Sequence, residues 1–253
     1  MTPYYEADGI TLYHGDSRQV LAELPDESVD FIFTDPPYGH NNNDGDLIHR
    51  REAALGRPPC DSDSSRARPI ANDGPEANDL VRWMFREAKR LLRNGSCCCC
   101  CGGGGPDPQF ARWSLWMDEV LNFKQMVIWD KGPMGMGWHY RRSYETVLVA
   151  QRGKDKCAWY DETDRIENIV RHIPKLIPLK SDHPTPKPPQ LVEWFLQLHS
   201  RPGELVLDPF NGGGSTAVAS KRMGRRYIGV DVEERWLEMT ARRLDAQTLA
   251  LPL

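Results

Sequence analysis

The sequence has no apolar run long enough to cross a membrane. None of its stretches approaches the roughly eighteen apolar residues that a spanning helix needs. The first six residues, MTPYYE, also lack the basic and apolar segments of a secretory signal peptide. We therefore expect a cytoplasmic globular protein without a membrane partner.

The chain also has no surplus of positive charge. Its 32 Lys and Arg residues are outnumbered by 36 Asp and Glu residues, which gives a formal net charge of −4. This balance argues against a protein that coats nucleic acid indiscriminately. It leaves room for a local basic groove, because the electrostatic field depends on where the charges lie.

Zinc sites usually contain two cysteines separated by a turn that can wrap around the metal, as in Cys-x-x-Cys. The seven cysteines of this sequence do not form such separated pairs. Five of them are consecutive, at 97–101. Successive side chains of a strand point to opposite faces, so these five cannot converge on one ion. The sequence predicts no metal site, and it predicts that 97–101 is a buried core strand of a reduced protein.

The most informative stretch is Thr34-Asp35-Pro36-Pro37-Tyr38, here called the Asp35 corner, which follows the apolar run 29–33, broken only by Asp30. A strand stopped by two prolines ends where open α/β sheets bind their ligands. The prolines remove backbone donors, so neighbouring carbonyls are left to accept hydrogen bonds from a ligand, as is the Asp35 carboxylate. Tyr38 offers an aromatic face for stacking. The corner suits the exocyclic amine of a nucleobase, although a plain strand-ending turn uses the same residue types.

Apolar periodicity along the chain alternates between strands and helices. We predict strands at 9–14, 29–33, 97–101, 125–129, 145–150, 203–210 and 227–231, with helices at 18–24, 76–94, 108–121, 190–199, 215–223 and 233–244. Such alternation indicates an α/β fold with a mostly parallel sheet and helices on both faces. We interpret 1–253 as one domain, in which 39–75 is an inserted polar loop that acts as a lid or DNA-binding segment and 131–180 is a candidate target-recognition region.

A second site follows the predicted strand 203–210, where Asn211-Gly212-Gly213-Gly214 leads into a helix that begins with Ser215 and Thr216. Glycines let the backbone approach a ligand closely, and the helix start offers free N–H groups. The loop has no lysine and no Gly-x-Gly-x-x-Gly pattern, which excludes the common triphosphate and dinucleotide motifs. A carboxylate-bearing cofactor remains, with Asp231 at the end of the next strand placed to bind ribose hydroxyls.

Taken together, these motifs resemble the S-adenosylmethionine-dependent amino-group DNA methyltransferases. The order is Gly15-Asp16, the Asp35 corner, His183-Pro-Thr-Pro-Lys187-Pro, the glycine loop from Asp208, and Gly229-Val-Asp231. With the catalytic corner ahead of the cofactor loop, the chain is similar to the permuted beta class. The resemblance implies a Rossmann-like methyltransferase fold with permuted motif order.

The resemblance also implies a role for each matching residue. Asp208, Phe210, Asn211 and the backbone of Gly212 to Gly214 would hold the methionine part of the cofactor, Asp231 the ribose and Asp16 the adenine end. His183, Thr185 and Lys187 would close the cofactor pocket, and Asp35 would border both cofactor and substrate. Members of this family more often have Gln at Pro186, Ser at Gly213 and Glu at Asp231.

An exocyclic amine is a poor nucleophile because its lone pair is delocalised into the ring. The catalytic residues implied are Asp35, Pro36, Pro37 and Tyr38: the Asp35 carboxylate and the Pro36 carbonyl would accept the two amine hydrogens, while Tyr38 stacks on a flipped base. An Asp in the first position of the corner is typical of N6-adenine enzymes. N4-cytosine, an RNA base, a protein amide and a non-catalytic partner subunit remain as alternatives.

Duplex DNA is the expected partner, contacted by Asn41, Asn42, Asn43, Arg50, Arg51, Arg141 and Arg142, because Asn reads adenine edges and Arg reads guanine or phosphate. The resemblance adds a homodimer and a cognate restriction enzyme as partners of a cytoplasmic, bacterial or phage-encoded enzyme.

Overall fold

The computed structural model describes residues 1–39, 70–102, 109–132, 141–176, 183 and 185–249. The strands are β1 (Tyr5–Ala7), β2 (Ile10–His14), β3 (Val29–Thr34), β4 (Leu92–Gly102), β5 (Asn122–Asp130), β6 (Tyr144–Gln151), β7 (Ile169–Val170), β8 (Leu205–Asp208) and β9 (Arg226–Asp231). The helices are α1 (Ser17–Ala22), α2 (Ala77–Leu91), α3 (Gln109–Val120), α4 (Pro189–His199), α5 (Ser215–Arg222) and α6 (Glu234–Leu249).

The nine strands found among the described residues form one sheet in the order β1-β2-β9-β8-β3-β4-β6-β5-β7. Strands β2, β9, β8, β3 and β4 are parallel neighbours, whereas β6 is antiparallel to both β4 and β5. The α/β class with a mostly parallel sheet is therefore confirmed. Because β8 and β3 are adjacent and parallel, the ends that carry the glycine loop and the Asp35 corner lie side by side.

The cysteine run forms part of the centre of this sheet, as the sequence predicts. All five side chains are buried. Cys97, Cys99 and Cys101 pack into the core on one face, while Cys98 and Cys100 pack into the core on the other. Cysteine is small and apolar enough to satisfy both faces of a strand that has neighbours on each side.

The predicted stop of α2 at Asn94 and Gly95 is wrong, since α2 ends at Leu91 and β4 begins at once. The pairing of β4 with β3 jumps from Leu92 to Cys97, so 93–96 form a bulge. Gly95 has φ +86°, and a Cβ on it would lie 2.5 Å from the Lys156 carbonyl oxygen. Asn-Gly here marks a strand bulge rather than a helix end.

Smaller differences concern the edges of the sheet and one helix. Two short strands, β1 and β7, were not predicted, because segments of three and two residues carry no periodic signal. On α3, Phe110 is 40% exposed, whereas Trp113 and Met117 are buried. Among the described residues, no helix is both long and apolar enough to span a membrane.

Arg225 fixes the end of α4 against the turn before β9. Its guanidinium is buried and donates to the Ser200 hydroxyl at 3.1 Å, to the Ser200 carbonyl at 2.9 Å and to the carbonyls of Leu196 at 3.2 Å and Met223 at 2.6 Å. Such a fork satisfies helix-end carbonyls that would otherwise be buried without a donor.

We expect Arg225→Lys to lower the free energy of unfolding by about 2 kcal/mol, because a single ammonium cannot reach all of these acceptors. Urea denaturation measures the loss. Arg226→Lys, at the exposed neighbouring position, is the matched control and should stay within about 0.5 kcal/mol of the parent. Equal stability of the two variants would contradict the capping role.

Candidate active site

The Asp35 corner and the glycine loop open into one cleft at the carboxyl ends of β3 and β8. The cleft has a volume of about 1010 Å³ and is lined by both motifs. That volume is at the upper end of ordinary ligand pockets, which run from about 300 to 1,000 Å³. The buried Thr34 hydroxyl donates to Asp208 Oδ1 at 2.8 Å and joins the two motifs directly.

Both oxygens of the Asp35 carboxylate accept hydrogen bonds. The Tyr38 hydroxyl donates to Oδ1 at 2.6 Å, and Lys187 Nζ donates to Oδ2 at 2.5 Å. Lys187 Nζ also lies 3.2 Å from the Tyr38 hydroxyl and 5.4 Å from the centre of its ring. The Tyr38 ring meets Trp113 edge to face, with ring centroids 6.0 Å apart.

Glu145 is a member of this site that the sequence reasoning missed. Its Oε2 lies 3.3 Å from Lys187 Nζ, and its Oε1 accepts from Lys131 Nζ at 3.0 Å. Burial alone would hinder its ionisation, but the two lysines outweigh burial and lower the pKa of Glu145 to about 2. Lys187 is buried too, and Asp35 with Glu145 raises its pKa above the usual range. The cleft thus contains an alternating chain of charges, Lys131–Glu145–Lys187–Asp35.

Asp73, near the end of the inserted segment 39–75, fixes the backbone of the corner. Its Oδ1 accepts the N–H groups of Tyr38 at 2.8 Å and Gly39 at 2.7 Å. The Gln109 side chain donates to the Tyr38 carbonyl on the other side. No sequence pattern points to Asp73 or Gln109, because both lie far from the corner along the chain.

The glycine loop has the backbone geometry that its sequence predicts. Gly212 and Gly214 have φ of +47° and +74°, in the left-handed region. A Cβ on Gly214 would lie 2.3 Å from Thr240 Oγ1. A Cβ on Gly213 would lie 3.0 Å from the His183 Cβ. This contact explains why a serine, commoner in the resembling family, does not fit here without a shift of His183.

His183, Thr185 and Lys187 lie beside this loop and line the same cleft. The His183 ring meets Trp236 edge to face at a centroid distance of 4.8 Å. Burial, together with the positive charge of Lys187, lowers the pKa of His183 to about 4, so the imidazole is neutral near pH 7. The Thr185 N–H points to His183 Nδ1 at 3.4 Å, and the Lys187 carbonyl accepts from the Ser215 hydroxyl at 2.6 Å.

Asp231 and Asp16 occupy neighbouring strand ends on the far side of the loop. The Asp231 carboxylate accepts the N–H of Gly212 at 2.7 Å and that of Glu233 at 2.9 Å. A carboxylate has about four acceptor positions, so the two left over can serve a ligand. Asp16 caps α1 and holds Arg18 through both oxygens.

Two residues expected to hold the cofactor also make contacts within the protein. The Asn211 amide donates to Thr240 Oγ1 at 3.0 Å and accepts from the Tyr227 hydroxyl at 3.0 Å. Phe210 packs against the core, and its N–H donates to Asp208 Oδ1 at 3.1 Å. Both also line the cleft.

Of the candidate DNA-contacting residues, Arg142 lines the cleft and Arg141 is exposed beside it. Asn41, Asn42, Asn43, Arg50 and Arg51 lie outside the described residues, as does most of the inserted loop. Within the candidate recognition region, 144–151 form the sheet strand β6, whose first two residues, Tyr144 and Glu145, line the cleft.

Comparison with known proteins gives a consistent picture. The model of a family described as DNA methylase matches residues 29–242. The type II methyltransferase M2.DpnII of Streptococcus pneumoniae is 28% identical over 97% of this chain and 93% of its own length. The DNA adenine methyltransferase YhdJ of Escherichia coli K12 is 23% identical over 93% of this chain and 82% of its own. The fold resembles TTHA0409 of Thermus thermophilus, a putative DNA modification methylase complexed with S-adenosyl-L-methionine, with a TM-score of 0.65, 24% identity and coverage of 95% and 96%.

Two carboxyl groups of the cleft, those of Asp208 and Asp231, are buried away from water. Burial raises the pKa of Asp208 from 3.8 to about 7 and that of Asp231 to about 6. For Asp208, the folded chain keeps a proton that the unfolded chain has released. The resulting stabilisation is complete below about pH 3.8 and is lost as the pH rises through 7.

We therefore expect Asp208→Asn to stabilise the ligand-free protein more at pH 8 than at pH 5. The difference should be about 2 to 3 kcal/mol, since each unit of pH in this interval is worth about 1.4 kcal/mol per proton. Urea unfolding at the two pH values measures it. Asp26→Asn, on the exposed surface, should show no such difference; a pH-independent effect of Asp208→Asn would contradict the assignment.

Proposed function

This chain belongs to the DNA methylase family, and we propose that it transfers a methyl group from S-adenosylmethionine to the N6 amino group of an adenine flipped out of duplex DNA. The observation that carries the proposal is the single cleft shared by the Asp35 corner and the glycine loop. A methyl donor held by the loop and an amine held by the corner would meet inside it.

The residues of the cleft fit S-adenosylmethionine, which supplies an electrophilic methyl group on a sulfonium sulfur. The left-handed glycines Gly212 and Gly214 shape the turn of the loop, and Gly212 and Gly213 bring its backbone to the wall of the cleft. Asp208 brings a buried carboxylate to the methionine end, and Asp231 has acceptor positions left for ribose hydroxyls. We assign Asp16, His183, Thr185 and Lys187 to the walls of this pocket, and Phe210 and Asn211 to its shape.

The amine of a paired adenine is inaccessible inside a duplex, so the base has to leave the stack. We propose that Asp35 and the Pro36 carbonyl accept the two amine hydrogens, which returns the nitrogen lone pair to a direction suited to methyl transfer. Pro37 keeps the corner rigid. Catalysis then consists of orientation and preorganised electrostatics, and Asp35 need not act as a strong base.

The geometry of the ligand-free site adds a step to this scheme. Each oxygen of Asp35 already accepts one hydrogen bond, from Tyr38 or from Lys187, so an amine that enters the corner competes with these partners for the carboxylate. Glu145 Oε2 lies 3.3 Å from Lys187 Nζ and offers the ammonium a second anion. We propose that Lys187 moves from Asp35 towards Glu145 as the base enters. The same movement would clear the face of Tyr38 on which the base stacks.

Adenine is favoured over cytosine as the target base. The name of the Escherichia coli relative states adenine, and an Asp at the first position of the corner is what the resembling adenine enzymes have. N4-cytosine remains an outcome that the experiment below distinguishes.

DNA contact is proposed to come from the inserted segment 39–75 and the cleft-facing part of 131–180, with Asn41, Asn42, Asn43, Arg50, Arg51, Arg141 and Arg142 as the contacting residues. We regard 1–253 as one methyltransferase domain in the cytoplasm of a bacterium or of a phage-infected cell. The Streptococcus relative is named a type II methyltransferase, which supports a cognate restriction enzyme as a partner. A homodimer is a further proposal.

The deciding experiment is nucleoside mass spectrometry of duplex DNA after incubation with the purified protein and S-adenosylmethionine. We expect N6-methyladenine. Asp35→Ala should lower turnover on the order of 100-fold or more, because the amine loses its charged acceptor, while cofactor binding measured by calorimetry is partly kept. Asp26→Ala, a surface acid, is the matched control. N4-methylcytosine would overturn the base assignment, and unchanged turnover of Asp35→Ala would overturn the catalytic role of the corner.

Glu145→Gln tests the movement of Lys187. Without the second anion, Lys187 has no alternative to Asp35, so we expect kcat to fall on the order of tenfold, equivalent to about 1.4 kcal/mol of barrier. The dissociation constant of S-adenosylmethionine should change little. Glu119→Gln, which removes a surface acid paired with Arg82, should leave kcat unchanged. An effect of Glu145→Gln on cofactor affinity alone would assign Glu145 to the cofactor pocket instead.

A further inference from the structure

Three metal-ligating side chains converge at the end of the sheet away from the cleft. Cys97, Cys157 and His199 each place a ligand atom within 4.8 Å of the other two. Cys97 pairs with Phe31 near the start of β3, whereas Thr34 at the end of β3 leads into the corner. The cluster is therefore at the amino ends of the parallel strands, and none of its three residues lines the cleft.

Each of the three comes from a different element. Cys97 is a buried residue of β4. Cys157 is partly exposed in the segment after β6, where the Ala158 N–H donates to the carbonyl of the bulged Gly95 at 2.9 Å. His199 is the last residue of α4 and is 4% exposed. The cluster is thus anchored by regular structure on two sides and is reachable from solvent at Cys157.

The orientation of His199 is fixed by its surroundings. Its Nδ1 lies 3.2 Å from the Ala158 carbonyl oxygen. A carbonyl only accepts hydrogen bonds, so the proton of the neutral ring is on Nδ1 and the lone pair is on Nε2. The ring stacks on Phe31 at 5.6 Å and meets Trp159 edge to face at 5.2 Å. Metal-binding histidines typically donate their other ring N–H to a backbone carbonyl in this way.

The distance between the two sulfur atoms is closer to that in a metal site than to that in a disulfide. Cys97 Sγ and Cys157 Sγ are 3.3 Å apart. Tetrahedral zinc with Zn–S bonds of about 2.3 Å holds two sulfurs about 3.8 Å apart, so the pair would have to open by about 0.5 Å. A disulfide of about 2.05 Å would require the sulfurs to close by about 1.2 Å. The smaller adjustment, together with the third ligand on His199, favours a metal ion.

We propose that Cys97, Cys157 and His199 bind one zinc ion through two thiolates and an imidazole nitrogen, with a water molecule in the fourth position. Binding releases the two thiol protons to solvent and changes no oxidation state. Two sulfurs and one nitrogen are the donor set that soft or borderline divalent cations prefer over magnesium or calcium. The ion would join β4, the segment after β6 and the end of α4, and its role would be to stabilise the fold.

The test uses the full-length protein, reduced and stripped of metal under anaerobic conditions, and titrates it with Co²⁺ as a spectroscopic probe for zinc. We expect one Co²⁺ per chain, thiolate-to-cobalt charge-transfer bands and the visible absorption of tetrahedral cobalt, all lost when Zn²⁺ displaces the probe. Zn²⁺ should also raise the Tm saturably. Absence of the tetrahedral spectrum, or a Tm unaffected by Zn²⁺, would overturn the proposal.

Variants show whether the cobalt ion is bound by this cluster or by other cysteines. Cys157→Ser, at a partly exposed position that tolerates the change, should abolish the cobalt spectrum, and so should His199→Asn. Cys98→Ala on the opposite face of β4 and Cys60→Ser should keep it. A spectrum that survives Cys157→Ser would place the metal elsewhere. Quantitative formation of a Cys97–Cys157 disulfide in air, with no metal uptake by the reduced protein, would also overturn the proposal.

Discussion

The hydrogen bond between the Thr34 hydroxyl and the Asp208 carboxylate connects two segments that are 174 residues apart in sequence. It forms because β3 and β8 are parallel neighbours and end at the same level of the sheet. The Asp35 corner projects from one of these ends and the glycine loop from the other. Their distance from each other, and hence the geometry of the cleft, depends on this buried contact.

The same cleft contains several charged side chains in buried positions, where loss of hydration makes the charged forms unfavourable. Lys187 is buried and has its anions within 3.3 Å, while Asp208 and Asp231 are held mainly by backbone and hydroxyl donors. The pairing makes Glu145 a stronger acid, and burial makes Asp208 a weaker one. The buried Asp208 carboxyl lowers the free energy of unfolding of the ligand-free protein. Such a loss is usual where a protein keeps a polar group available for a ligand.

Local patterns were sufficient to predict most of the fold and the two motifs of the site. Double prolines after an apolar run, and glycines between a strand and a helix, are local signals, and both motifs lie at the predicted strand ends. Glu145, Asp73 and the cluster around Cys157 were not found, because their partners are far away in sequence and no local pattern links them. Asn94 and Gly95 misled the prediction, because the dipeptide suits a helix end and a strand bulge equally well.

The order of the strands has a consequence for how the chain acquires its structure. β8 and β9, both beyond residue 200, lie between β2 and β3, which are formed from the first 34 residues. During synthesis, β2 and β3 therefore emerge before the two strands that lie between them in the finished sheet. Until then, the edges of β2 and β3 that pair with β9 and β8 are open. Contacts over such a sequence separation form slowly, and open edges are prone to association with other chains. The growing polypeptide should thus depend on chaperones until the segment that contains β8 and β9 has left the ribosome.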